Sequence, residues 1–484
     1  MKKIMLIAAL GAIVASGHAQ TEQLYIYRND NAFEYFRGAD IKGFSYGGPI
    51  DGYTSLTVAT DEGSTVVNLA AVDSCVVRAA GIPDIHVHLT EFPDIPDLFK
   101  TGGYTKSTVY KANLRMDGNG MYDDVPEQTV EFRGRGNSTW TFEKTPYRFK
   151  MSKKASVCGL PKAKTYALIA NYIDGSHMRN VMALWLAREL GLPYSNHAVP
   201  VNVYLNNNFK GLYMLTEKIG IGGGSVDIDE EAGMLFELDV AFDEDYRFVY
   251  SYAGGTRRRL PVNIKDPDLA EIKPDKVERE QYLSQWQADF SAMADAVFGA
   301  KSSTDLSGVI DIDDAVRYML VYSVTCNSEL CHPKSLYMYK KALGESETYH
   351  FGPAWDFDWA YDYVSSGDGV NGYDHVALGG DGDYSGASFM KAIASTDRFR
   401  AAYKAAWTDF RDNIYPRMME YFASYARLIE PAAKRDGVQW PDIMGGGWAF
   451  APSSLDHAAR VRVLAEWLRG RVEWCDRHPN WGLY

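Results

Sequence analysis

Near residue 276 the hydrophobic period of this chain changes from two to about 3.6, and that change constrains its fold more than any other feature. Before it, runs such as QTVEFRG, TPYRFKM, KTYALIA, PVNVYLN, KGLYMLTEKI and GMLFELDVAF read as strands. After it, VEREQYLSQWQADFSAMADAVFG, DIDDAVRYMLVYSVTC and SLDHAARVRVLAEWLRGRVEWCDRH carry helical spacing. One helix interrupts the β-rich part over Ser176–Leu190, with Ser176 as N-cap and Gly191 as stop. Two strands, SLYMYKK and YHFGPAWDFDWA, interrupt the helical part. The expectation is an α+β fold with a β-rich lobe over about residues 86–270, a helical lobe over about 271–480, and a cleft between them. Residues 20–85 read as a separate small β-rich module of short strands and polar turns.

The chain opens MKKIMLIAALGAIVASGHA. Lys2 and Lys3 precede an apolar run from Ile4 to Ala15, and Gly17-His18-Ala19 suits a small-residue cleavage site. Residues 1–19 therefore read as a secretory signal peptide, too short to span a bilayer. Nothing later approaches a membrane-spanning apolar length, so the expected location is the periplasm, the cell surface or the medium. A net charge of −13 argues against nucleic-acid binding, which needs a basic surface. Five cysteines are too few for a disulfide scaffold. Cys326 and Cys331 read as buried thiols in preference to a local disulfide.

Two stretches concentrate chemistry. Gly352–Ala360, GPAWDFDWA, sets Asp356 and Asp358 among Trp355, Phe357 and Trp359. As a strand it places both acids on one face, a pattern suited to a hard divalent cation such as Mg²⁺ or Mn²⁺. A turn whose aspartates cap backbone amides is the competing reading. The other stretch is RGRGNSTW, in which Arg133 and Arg135 alternate with Gly134 and Gly136. Arginine forks suit phosphate, and glycines let the backbone approach it. In KTPYRFK, Arg148 and Lys150 share one strand face while Tyr147 and Phe149 share the other. A solvated strand face beside a tight turn competes with an anion site there.

Three further segments are polar where a site would draw on them. In NYIDGSHMRN, Asp174 and Ser176 read as turn and cap, and His177 as structural. Arg179 stands in the first helical turn, where the macrodipole disfavours a cation, which hints at an acidic partner or a phosphate. Glu217 ends the strand GLYMLTE, either orienting a cation or nucleotide group or forming a surface pair with Lys218. NSELCHPKS places Glu329, His332 and Ser335 a loop's length before Asp356. The acidic turns at 117–120 and 379–383 do not complete a calcium-loop spacing and read as turns.

FRGRGNSTW with KTPYRFKM, then NYIDGSHMRN, GLYMLTEKI, PKSLYMYK and GPAWDFDWA, in that order, resemble the CotH kinase family, named for a spore-coat protein H. The resemblance covers roughly residues 86–480. It implies an atypical protein-kinase-like fold with ATP between two lobes, and γ-phosphoryl transfer to Ser or Thr of a protein substrate. It further implies Arg133, Arg135, Lys144, Arg148, Lys150, Arg179 and Glu217 as nucleotide-binding candidates, Glu329 and Asp356 as catalytic ones, and Asp356, Asp358 and Ser335 as metal ligands. The chain departs from the family pattern at Glu329, where the pattern has aspartate, and at Ser335, where some members have asparagine. Two other readings stand beside it: a non-catalytic, pseudokinase-like surface or binding protein on the same scaffold, and a carbohydrate-active hydrolase with Asp356 and Glu329 as paired acids.

Overall fold

A computed structural model describes residues 22–28, 33–37, 41–49, 53–60, 63–79, 81–91, 108–136, 138–254, 258–344, 346–361, 372–441 and 456–484. The expected signal peptide lies outside the described residues. The chain divides into two compact units, residues 1–84 with 115–126, and residues 85–114 with 127–484.

The first unit contains β1 (Glu22–Arg28), β2 (Phe33–Arg37), β3 (Ile41–Gly47), β4 (Ser55–Thr60), β5 (Gly63–Asn68) and β6 (Val72–Ala79). They form two antiparallel three-stranded sheets, ordered β2-β1-β6 and β3-β4-β5. Leu24, Ile26 and Phe36 of one sheet and Leu56, Val58 and Val67 of the other make one buried core. Neither sheet could bury its apolar face alone.

The second unit begins with a closed seven-stranded barrel. Its strands are β7 (Asp84–Leu89), β8 (Tyr110–Asp117), β9 (Val125–Gly134), β10 (Tyr147–Ala155), β11 (Ala163–Ile169), then, after helix α1 (Arg179–Glu189), β12 (Val199–Leu205) and β13 (Asn208–Glu217). Their order is β10-β11-β13-β12-β7-β8-β9. Period-two alternation points Phe132, Tyr147, Phe149, Tyr166, Leu168, Tyr213 and Leu215 inward, each at most 1% exposed. The Tyr147 ring packs 5.0 Å from Phe132 and 5.8 Å from Tyr213, so aromatic bulk fills the barrel.

Next come β14 (Met234–Leu238), β15 (Arg247–Tyr252), β16 (Arg258–Asp266), α2 (Lys276–Phe298), α3 (Ile312–Thr325), β17 (Leu336–Lys340) and β18 (His350–Phe351). The five strands form an antiparallel sheet ordered β15-β16-β14-β17-β18. Helix α2, capped by Asp275, lays Trp286 and Phe290 on this sheet, where Phe236, Phe248 and Tyr349 receive them. The chain ends in α4 (Gly386–Ala394), α5 (Asp397–Asp409), α6 (Tyr415–Gln439) and α7 (His457–Arg477). Buried Arg471 of α7 donates to the carbonyls of Ser323, Tyr373 and Gly482, tying the chain end to the last turn of α3. No helix among the described residues is long and apolar enough to cross a membrane.

The α+β class holds, with three corrections. The late strands do not stand apart from the β-rich part: β17 pairs with β14, which lies about a hundred residues earlier, β18 pairs with β17, and β15 and β16 were not anticipated. Only long-range pairing decides this, and periodicity does not report pairing partners. Trp355–Ala360 is a loop, not a strand; Asp356 has φ +60°, which breaks extended geometry. Helix α1 starts at Arg179, three residues beyond the expected Ser176 cap. Asp174 takes the capping role: its carboxylate accepts from the amides of Ser176 and Arg179 and from Ser176 Oγ. All five cysteines are free thiols.

Candidate active site

Between the outer face of the barrel and the five-stranded sheet lies a cleft of about 330 Å³ within the second unit. Its barrel wall is cationic. Antiparallel pairing sets Arg133 of β9 directly opposite Arg148 of β10, both facing outward because Phe132, Tyr147 and Phe149 face in. Small Ala167 follows on β11, and Lys218 just past β13 completes the wall. Arg133 Nε is buried without a hydrogen-bond partner. Burial, with the charges of Arg133 and Arg135, pushes the Arg148 guanidinium down to about 10. Burial also lowers Lys218, and Arg148 adds to that effect.

The two glycines of RGRG have local reasons. A Cβ on Gly134 would stand 1.7 Å from Trp140 Cζ3, so the ring occupies that space. Gly136 has φ +93°, which glycine adopts at little cost.

The opposite wall is acidic. Asp356, Asp358 and Glu329 line it together with Glu237 and Asp239 of the β14 end. The loop bearing Asp356 and Asp358 is held by α1 and by Asn327. Asn180 Oδ1 accepts from Phe357 N at 2.8 Å, and Asn180 Nδ2 donates to Asp358 Oδ1 at 2.6 Å. Arg179 Nη1 donates to the Asp358 carbonyl at 2.6 Å. Asn327 Nδ2 donates to the Asp356 carbonyl at 3.0 Å, while Asn327 Oδ1 accepts from Glu329 N. These bonds hold Asp356 in its left-handed conformation.

Burial, then the Asp356 charge, raises the pKa of Asp358. The same two causes raise Glu329 well above the carboxylate range. Glu329 is 1% exposed, and its Oε2 is buried without a hydrogen-bond partner. Asp239 is pushed up to about 6 by burial and by Glu237. Lys334 answers these acids: burial opposes its charge, but Glu329, Asp356, Asp239 and Asp358 prevail and raise its pKa. Glu237 is already paired, accepting from Lys265 Nζ and Tyr337 Oη at 2.7 Å each.

Of the residues singled out from sequence, Arg133, Arg135, Arg148, Glu329, Ser335, Asp356 and Asp358 line this cleft. Four do not. Lys144 is buried elsewhere, with Nζ 2.7 Å from both Asp436 Oδ1 and the Leu212 carbonyl. Lys150 is exposed further along β10, opposite Glu131. Arg179 is fully buried behind the acidic loop, which it supports. Glu217 is buried against His197, accepting from its backbone and facing its ring. Sequence reading missed Lys218, Lys265, Lys334, Glu237 and Asp239. Period-two spacing in FELD was the available signal for the last two.

Among the described residues, one group of three metal-ligating side chains falls within 4.8 Å, and it lies outside the cleft: Asp311, Asp314 and His350. Its members have structural partners. Asp311 caps α3, Asp314 pairs with Arg317 at 3.1 Å, and His350 Nδ1 lies 2.8 Å from Asp314 Oδ2.

Guanidinium groups facing paired carboxylates across one cleft make a site for a polyanion together with a cation. The sequence profile described as CotH kinase protein matches residues 132–475, and the chain belongs to the CotH kinase family. No curated protein shows a significant match to the chain.

Proposed function

We propose that this chain is an ATP-dependent protein kinase of the CotH type on an atypical kinase-like scaffold. It acts on serine or threonine hydroxyls of other exported proteins. The observation that carries the reading is the opposition, in one cleft, of the Arg133–Arg148 pair with Arg135 to Glu329, Asp356 and Asp358. Like charges at adjacent strand positions repel, and a polyphosphate relieves that repulsion. The free Arg133 Nε is a donor suited to a phosphate oxygen.

The acids fit a divalent cation. Asp356 and Asp358 are hard oxygen ligands, and the Asp356 charge raises the pKa of Asp358, with Ser335 on the same wall. Mg²⁺ or Mn²⁺ held there supplies charge neutralisation to the phosphates. In the transfer, the acceptor hydroxyl oxygen bonds to the γ-phosphorus as the bond to the β,γ-bridging oxygen breaks. ADP leaves with that electron pair, and the hydroxyl proton passes to Glu329.

The test is purified protein with γ-labelled ATP and Mg²⁺ or Mn²⁺, beside Asp356→Ala. Transfer by the wild type and none by the variant supports the reading. Label persisting in Asp356→Ala removes Asp356 from the metal role. A second reading, a non-catalytic binding protein on the same scaffold, is favoured by one observation: burial and the Asp356 charge raise the Glu329 pKa, which opposes the ionised form that a proton acceptor needs. Absence of both label and nucleotide-induced rise in Tm supports that reading.

A further inference from the structure

The loop Trp355–Trp359 carries a cation on each tryptophan. Arg135 lies over the Trp355 ring at 5.6 Å, and Lys334 over the Trp359 ring at 5.5 Å. The His332 ring lies parallel to Trp359, 6.1 Å away at 9°. Lys334 itself is pinned on both sides: the Pro333 carbonyl accepts from Val240 N at 2.8 Å, and Ser335 N donates to Asp239 Oδ2 at 3.2 Å. Its Nζ stands 4.0 Å from Glu329 Oε1, beyond hydrogen-bond distance. The ammonium is therefore aimed at the acid wall by its backbone and by an aromatic face, not locked to one carboxylate.

Resting on the phosphotransferase reading above, we infer that Lys334 is a catalytic residue that touches the phosphoryl group being transferred, and that Trp359 is its positioning residue. Arg133, Arg148 and Lys218 belong to the barrel wall and act on the polyphosphate as a whole. Lys334 belongs to the wall that carries Glu329, the group assigned to the acceptor hydroxyl. Charge in phosphoryl transfer spreads over the equatorial oxygens of the moving group, so a cation beside the acceptor acid acts most strongly on that group. A compact ammonium with three donors can follow the phosphorus as its bond to ADP breaks and its bond to the acceptor oxygen forms.

The consequence is readable in binding without turnover: Lys334 distinguishes ATP from ADP. The experiment titrates ATP and ADP in Mg²⁺ buffer by calorimetry into wild type, Lys334→Met, Lys334→Arg, Trp359→Leu and Arg148→Met. The wild type prefers ATP. Lys334→Met loses about tenfold or more in ATP affinity, with ADP affinity within about twofold, as expected for one charge-assisted contact. Lys334→Arg keeps the preference, Trp359→Leu reduces it, and Arg148→Met weakens both nucleotides alike. A folded Lys334→Met that keeps the preference overturns the inference; if that variant does not fold, an unchanged preference in Trp359→Leu does so. A wild type that binds both nucleotides equally overturns this inference and leaves a nucleotide site. A wild type that binds neither overturns the phosphotransferase reading itself.

Discussion

Arg133 and Arg148 face each other directly across the β9–β10 pair, two like charges at one register position. Cross-strand like charges cost roughly 0.2–1 kcal/mol, so the pair is held against its own repulsion. Arg148→Gln is expected to leave the ligand-free protein as stable or more stable by up to about 1 kcal/mol. The same change weakens nucleotide about tenfold or more. Chemical denaturation and a nucleotide titration on the same variant check the two halves. A large loss of stability would count against a wall built for an anion.

Lys144 and Asp436 form an ion pair at 2.7 Å with both side chains fully buried, joining the segment before β10 to α6. The charge of Lys144, aided by His177, holds the Asp436 carboxyl below its usual range although burial opposes this. Asp436→Ala leaves a buried ammonium uncompensated and is expected to cost about 3–5 kcal/mol. The double change Lys144→Met with Asp436→Leu recovers much of that loss. Equilibrium unfolding of the three proteins tests the coupling.

Asn180 is the side chain that holds the Phe357 amide and the Asp358 carboxylate together. Asn180→Leu removes both bonds, and each buried group left unpaired costs about 1–3 kcal/mol. Labelled-phosphate transfer is expected to fall by at least about tenfold, as a displacement near 1 Å does in a preorganised site. Asn180→Asp keeps the acceptor for Phe357 but adds a charge beside Asp358, and is also expected to be defective. Wild-type transfer in either variant would remove Asn180 from the support of the site.

His457, with Nε2 3.2 Å from the Ser176 carbonyl, is pushed down to about 4 by burial and by neighbouring His177. Its folded pKa lies below the ordinary value near 6.5, so the unfolded chain binds more protons between the two. Stability attached to this group is whole above about pH 6.5 and is lost as pH falls toward 4, by roughly 3 kcal/mol. His457→Gln lacks that titration. The stability difference between wild type and variant should therefore shift by about 2–3 kcal/mol between pH 7 and pH 4 in urea unfolding. A difference that stays constant with pH would contradict the assignment.

The sequence alone determined most element types and the local faces of the barrel strands, though not the loop at Trp355–Ala360 or β15 and β16. Alternation in TPYRFKM put Arg148 and Lys150 on one side of β10 and the barrel aromatics Tyr147 and Phe149 on the other, as observed. The helical spacing of α2 and α3 and the family motifs were equally readable, because each depends on residues a few positions apart. Which strands pair, and hence which side chains meet, depends on contacts between distant residues. Tertiary structure alone placed Arg148 and Lys334 in one cleft while sending Lys150 to solvent, Lys144 to Asp436 and Arg179 behind the acidic loop. It also bent WDFDWA out of the extended form: the bonds to Phe357 and Asp358 come from Asn180 and Arg179, almost two hundred residues earlier, and no local pattern records them.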